Sequence, residues 1–522
     1  MSKMMSNKTG LEEQFSCFRR NIIGIDYQYN FPGGCRPILY ADWAASGRLY
    51  RPIEEYITNV LGPYVANTHS DATLTGTIIT DAYHQAHKII KQHVNAGPDD
   101  VLLLAGFGMT AVINKFQRLL GLRVPDKFKE KIAIPPQERA LVLLTHMEHH
   151  SNQTTWEECC CDTSLICKKS DGLPNLEHLR NILELNRDRK LIIGSFTACS
   201  NVTGLITPVN ELAEIMHQFG RLCFIDYSAS APYVEINMHP PKPEQKLDAI
   251  FFSPHKFLGG PGSSGVIVFD KKLYNNRVPD QPGGGTVLWT NPWGEHRFFQ
   301  DIEVREDGGT PGFLQAIRAA LAILLKEEVG VENILAQEHY LTEILLNELA
   351  GIPDINILES QNHNRIGFVS FYSLKVHHNL LVRLLNDRFG IQTRGGCLCA
   401  GTYGHVLLHI DDQRSKAIMS QIDQGNLSLK PGWVRISLHP TMTEVEVRYI
   451  ASAVREIMKN YVEWGKDYHL NPETGDFDHL KQPKASIKLR ETFKAALRIF
   501  LPVVILNAYI CFSFGNQIAI SL

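Results

Sequence analysis

The chain has 522 residues, 44% hydrophobic, 20% charged and 9% aromatic, with 52 Lys+Arg against 55 Asp+Glu and a net charge of −3. At roughly 100–200 residues per domain this allows two to four domains with a large core, and it excludes a disordered or collagenous chain. The balanced charge offers no basic excess for nucleic acid, and 11 cysteines are too sparse for a disulfide scaffold. The run Cys159-Cys160-Cys161 makes poor bridge geometry, so a reducing, cytoplasmic compartment is expected. The N-terminal MSKMMSNKTGLEEQF has neither the apolar core of a signal peptide nor the Arg-rich pattern of a transit peptide.

Residues 1–58 read as a segment crossing between domains, and residues 59–330 as a large α/β domain. Within the latter, short apolar runs read as strands: Val101–Ala105, Leu141–Thr145, Leu191–Phe196, Leu222–Asp226, Ala249–Phe252 and Val266–Phe269. Helical spacing falls between several of them, at Met109–Leu120, Leu176–Leu185 and Pro208–Phe219. This alternation predicts βαβ units and a mainly parallel sheet covered on both faces. Ligands of such sheets sit beyond the carboxyl ends of the strands, so polar residues just after the runs matter most.

Residues 331–470 predict a smaller α+β domain. It has a long helix at Val331–Leu349, a strand at Arg365–Tyr372 and a helix at His378–Phe389. A glycine-rich loop (RGGCLCAGTYG, 394–404) leads to a strand at Trp433–Leu438 and a last helix near Glu444–Tyr461. Residues 471–498 turn polar and then basic, as a linker would, and 499–522 form an apolar tail interrupted by Pro502 and Asn507. The tail is long enough to span a hydrocarbon core behind a basic flank, which allows a membrane anchor facing the cytosol. An amphipathic or apolar helix covering the protein's own surface, or a non-native end, is the alternative.

The chemistry concentrates at strand ends. Lys256, in FSPHKFLGGPG (252–262), follows a predicted strand and precedes glycines that permit close backbone approach. It suits a Schiff base with a cofactor aldehyde, although a surface turn is the commoner fate of a lysine. Asp226 closes the run LCFID. A carboxylate there can hold the pyridine nitrogen of pyridoxal phosphate protonated and make the ring an electron sink. Gly108, Met109 and Thr110 open a helix after a strand, the geometry that binds phosphate. Ser253 and His255 are further donors. His149 can stack on a pyridine ring, and Asn201 can contact a ring hydroxyl. The pair His149-His150 has no recognised metal-ligand spacing, so no metal is expected.

In their order, Tyr40–Ser46 (YADWAAS), Asn67–His69, Gly108–Thr110, Glu148–Asn152 (EHHSN), Ser200–Gly204 (SNVTG), Ile225-Asp226, Ser253–Gly260, Gly309–Pro311, Arg394–Ala400 and Val434–Leu438 (VRISL) carry a resemblance. The chain resembles the class V, fold-type I pyridoxal-phosphate enzymes and, within them, the group II cysteine desulfurases, over roughly residues 38–465. The resemblance implies a fold-type I transferase: a large α/β domain with a mainly parallel mixed sheet flanked by helices, plus a smaller α+β domain. It implies pyridoxal 5'-phosphate as cofactor, with Lys256 as the Schiff-base lysine, Asp226 as the pyridine partner and His149 as the stacking ring. Gly108, Met109, Thr110, Ser253 and His255 are implied around the phosphate, and Asn201 near the ring hydroxyl. Thr310 is similar to a threonine that reaches the phosphate from a second subunit, which implies a homodimer with shared sites. Arg435 is similar to the arginine that clamps the substrate α-carboxylate, with Ala45, Asn201 and Arg394 around the same substrate.

Cys399 stands at the family's nucleophilic cysteine, with Cys397 two residues earlier. That C-x-C pattern is also similar to the desulfurase-like domain of molybdenum cofactor sulfurases, and which thiol acts is left open. The implied reaction converts L-cysteine to L-alanine with an enzyme-bound persulfide, passed to a sulfur-acceptor protein. An aminotransferase, an epimerase or a C–S or C–N lyase would share every cofactor residue. A non-catalytic membrane-tethered scaffold would need neither Lys256 nor Asp226. Two positions depart from the family: Ala229 stands where it has glutamine, and Ser70 where it has arginine.

Overall fold

The computed structural model describes residues 2–68, 71–132, 134–482 and 486–496. The apolar tail at 499–522 and Ser70 lie outside the described residues. Among the described residues no helix is long and apolar enough to cross a membrane.

The large domain is built on seven strands: β1 Asp100–Ala105, β2 Ala140–Thr145, β3 Cys161–Ile166, β4 Ile192–Thr197, β5 Leu222–Asp226, β6 Ala249–Phe252 and β7 Gly265–Asp270. They lie in the order β1-β7-β6-β5-β4-β2-β3. All run parallel except β7, which is antiparallel to both its neighbours. Successive side chains point to opposite faces. Leu141 and Leu143 therefore join one core while Val142 and Leu144 join the other. A strand buried on both faces must be apolar at every position, which is why these strands appear as unbroken apolar runs. The edge strand β3 escapes that rule. Asp162 and Ser164 are only partly buried there and Thr163 is exposed, so it carries no such run.

The smaller domain has an antiparallel sheet of β8 Asn356–Ile357, β9 Phe368–Tyr372, β10 Arg394–Gly396 and β11 Trp433–Ser437, in the order β8-β9-β11-β10. The helices Val331–Ala350, His378–Phe389 and Glu444–Trp464 share one core with it, through residues such as Leu345, Leu384, Ile436 and Val454. A reciprocal cap between Thr443 and Glu446 starts the last helix.

The N-terminal segment touches both domains. Leu39–Tyr40 pairs in parallel with Ile391–Gln392 of the smaller domain, while Gly47 N–H donates to His255 O of the large one at 2.9 Å. The polar stretch from residue 471, expected as linker, instead begins inside a fold. Tyr468–Leu470 and Phe477–His479 form an antiparallel hairpin, anchored by Tyr468 Oη donating to Asp387 Oδ2 at 3.0 Å. Its polar residues make the turn, where Asn471 Oδ1 caps Glu473 N and Gly475 takes φ +70°.

Candidate active site

The carboxyl ends of β1, β2, β4, β5 and β6 open on one cleft of about 1050 Å³, closed from the other side by the smaller domain. Lys256, Asp226, His149, Asn201, Arg435 and Cys399 all line it. So do Ala45, Gly108, Met109, Thr110, Ser253, His255, Thr310 and Arg394. The structure thus brings these fourteen residues to one cleft, whereas Cys397 and His150, also named above, do not line it.

Lys256 ends a single turn, Pro254–Lys256, just after β6. Burial pushes its ammonium down to about 8, with the charge of Asp226 pulling the other way. Asp226 is buried at the end of β5, and one oxygen accepts Ser228 N–H at 2.8 Å. Burial raises its carboxyl, which Ser228 and Lys256 partly offset. His149 caps the helix His150–Glu157, its Nδ1 accepting Ser151 N–H at 3.1 Å. Burial, and then the Lys256 charge, pushes its ring down to about 3, so it stays a neutral plane at physiological pH.

The helix Met109–Leu119 begins at the same edge. Gly106 makes the turn from β1 in the left-handed region, at φ +54°. A Cβ there would fall 2.3 Å from that of Ala111, so both conformation and space require glycine. Gly108 lets the chain pass close to Ser253, whose Oγ would lie 3.1 Å from an added Cβ. Met109 N–H donates to Ser253 Oγ at 2.8 Å, which leaves the Ser253 hydroxyl proton free to donate. Thr110 Oγ1 shares a hydrogen bond of 2.6 Å with Ser151 Oγ. An orphan helix N-terminus ringed by hydroxyls is an anion cradle.

Arg435, 2% exposed on β11, is not an idle guanidinium. Its Nη2 holds Asp42 Oδ1 at 2.6 Å and its Nη1 donates to Asn201 O at 2.8 Å. Arg394 on β10 is its direct cross-strand partner. Cys397 and Cys399 differ sharply. Cys397 Sγ donates to Pro431 O at 2.7 Å and burial raises its thiol, whereas Cys399 is exposed on the cleft wall. Leu398 and Cys399 both take left-handed backbone, at φ +53° and +57°. Two adjacent non-glycine residues in that region store strain of a kind concentrated at functional sites.

Three features lay outside the sequence expectations. Ser151 joins the cradle through Thr110; its sequence signal is its place in the EHHSN stretch, after the histidine pair. Asp42 reaches Arg435 across 393 positions of the chain. On the cleft's outer wall, buried Lys115 pairs with Glu306 at 2.7 Å, and Arg118 grips Asp280 at 2.6 Å.

The chain matches the aminotransferase class-V family over residues 39–450. It is 28% identical over 372 residues to a probable cysteine desulfurase of Halalkalibacterium halodurans, covering 70% of this chain and 84% of that protein. It is 26% identical to a cysteine desulfurase of Haloferax volcanii, covering 70% and 81%. Among solved structures, a cysteine desulfurase from Thermococcus onnurineus NA1 shares the fold with a TM-score of 0.65 at 22% identity, covering 81% of this chain and 95% of that one. The cysteine desulfurase CsdA from Escherichia coli does so with a TM-score of 0.64 at 20% identity, covering 85% and 98%. With a family match that spans both domains and the whole cleft, the chain belongs to the aminotransferase class-V family.

Proposed function

We propose that this enzyme is a pyridoxal 5'-phosphate-dependent cysteine desulfurase that takes sulfur from L-cysteine onto Cys399 and releases L-alanine. One observation carries this reading: the exposed Cys399 shares a cleft wall with Lys256, Asp226 and His149, while Cys397 turns its thiol away. The residues fit the cofactor. Asn201 Oδ1 is a buried polar atom without a hydrogen-bond partner among the described residues, on a cleft-lining side chain. Such an orphan is costly unless a ligand or water meets it. The cradle at Met109, Thr110, Ser253 and His255 suits a phosphate dianion. Lys256 would hold the aldehyde carbon, Asp226 the pyridine nitrogen and His149 the ring face.

Bound there, pyridoxal phosphate supplies an electron sink for the carbanion left when the substrate loses its Cα proton. Lys256, with its ammonium lowered to about 8, has an accessible neutral amine to take that proton and return it. Asp226, buried beside it, keeps a negative charge where a protonated ring nitrogen would sit. Arg435 and Arg394 face the substrate carboxylate. The thiolate of Cys399 then attacks the substrate sulfur: an S–S bond forms, the substrate C–S bond breaks, and protons complete alanine. Cysteine plus the Cys399 thiol balances to alanine plus one persulfide, with no external oxidant.

The same reading places the enzyme in the reducing cytoplasm as a homodimer, with Thr310, exposed on the cleft rim, serving a shared site. A sulfur-acceptor protein then discharges the persulfide. Purified holoenzyme given L-cysteine and a thiol reductant should release sulfide and alanine in equal amounts. Sulfide with pyruvate and ammonia in place of alanine, or keto-acid-dependent turnover alone, would reject the proposal in favour of a lyase or a transaminase.

A further inference from the structure

The loop that carries Cys399 is strained at Leu398 and Cys399, and something outside it must hold that shape. Asn201 Nδ2 donates to Leu398 O at 2.8 Å. The next two contacts both come from one residue. His150 N–H donates to Cys399 O at 2.8 Å, and His150 Nε2 accepts Gly401 N–H at 2.9 Å. The ring lies so close that a Cβ on Gly401 would meet His150 Nε2 at 3.0 Å.

We propose that His150 is a positioning residue that clasps the Cys399 loop by its backbone and its ring, and so aims the Cys399 thiol at the substrate sulfur. The inference rests on Cys399 being the sulfur acceptor. His150 opens the helix whose cap is His149, so one turn of chain both faces the cofactor ring and holds the nucleophile loop. The backbone bond also satisfies one of the helix's orphan N–H groups. For Nε2 to accept, the imidazole must be neutral with its proton on Nδ1. Partial burial and then Lys430 lower its basicity, and Glu157 opposes them. His149 lies beside it in sequence, and on the loop side it meets Cys399 and Gly401. The neutral, accepting state therefore prevails at neutral pH, and a proton on Nε2 breaks the clasp.

The test compares wild-type holoenzyme with His150→Phe, which keeps a ring but no acceptor, and His150→Gln, whose amide oxygen can accept. The first readout is hydrogen exchange at the Gly401 amide, which needs no turnover. His150→Phe should exchange about tenfold faster, the scale of one net hydrogen bond. Its kcat for sulfide release should fall by at least a similar factor, with KM, α-proton exchange and cofactor absorbance kept. His150→Gln should regain most of both. Unchanged Gly401 exchange in His150→Phe, faster exchange with undiminished sulfide release, or no recovery in His150→Gln would each overturn the clasp. Should His150→Phe fail to fold, wild-type Gly401 exchange, corrected for intrinsic rate, must accelerate as pH falls below the usual histidine range; a flat profile overturns the proposal. If Cys399→Ser itself keeps sulfide release, the desulfurase reading fails separately, and Gly401 exchange alone decides the clasp.

Discussion

Cys397 and Cys399 stand two residues apart, yet their thiols are placed differently: Cys397 Sγ donates to Pro431 O at 2.7 Å, whereas Cys399 is exposed on the cleft wall. A thiol that donates to a carbonyl is favoured in its protonated form, and burial raises Cys397 above its ordinary range. Leu398 and Cys399, which link the two thiols, both take left-handed backbone.

Cys399→Ser should therefore abolish sulfide release while leaving cofactor absorbance and α-proton exchange intact. Proton removal needs Lys256 and Asp226, but sulfur transfer needs a thiolate, and a serine hydroxyl is scarcely ionised near neutral pH. Cys397→Ser should keep at least half of wild-type release, since serine can still donate to Pro431 O. Parallel assays of sulfide and of deuterium uptake at Cα check both. Loss of release in Cys397→Ser with retention in Cys399→Ser would reverse the assignment.

The Lys256–Asp226 pair sets a pH dependence. Burial lowers the Lys256 ammonium to about 8, and the Asp226 charge opposes that shift. Only the neutral amine captures an aldehyde. The rate at which cofactor-free protein acquires visible absorbance should rise with pH through a midpoint near 8. Asp226→Asn removes the opposing charge, so its midpoint should move below that of wild type. A midpoint near the ordinary lysine range, or one that Asp226→Asn moves upward, would contradict the burial argument. Stopped-flow absorbance across pH 6–10 measures it.

How much of this was legible in the sequence follows from burial and chain distance. The inner strands were readable because both faces are covered, which forces runs such as Leu141–Leu144 to be apolar throughout. Strand β3, half exposed at the sheet edge, left no such trace. Lys256, Asp226 and the Gly106–Thr110 turn were readable because a parallel sheet delivers its strand ends to one side. The Asp42–Arg435 pair and the Lys115–Glu306 pair were not, because they join residues 393 and 191 positions apart that no local pattern connects. The hairpin at 468–479 was hidden for another reason: a tight turn and a linker draw on the same polar residues.

The Asp42–Arg435 contact makes the last prediction. Arg435 was expected as the clamp for the substrate carboxylate, and Asp42 holds one of its arms and Asn201 O another. Its cross-strand partner is a second arginine, Arg394, whose charge disfavours the Arg435 cation while that of Asp42 supports it. Asp42→Asn keeps the acceptor oxygen and removes the charge. Two facing guanidinium groups are then less compensated, and the ligand-free variant should lose stability, by up to about 3 kcal/mol for a buried pair broken from one side. A bound carboxylate restores the missing charge. Added L-alanine should therefore raise the melting temperature of Asp42→Asn by more than it raises that of wild type. Arg435→Lys should show little shift in either background, since a lysine cannot reproduce the two-armed contact. Equal L-alanine shifts in wild type and Asp42→Asn would mean that Asp42 only braces the strand, and a shift kept in Arg435→Lys would mean that Arg435 takes no part in holding the carboxylate.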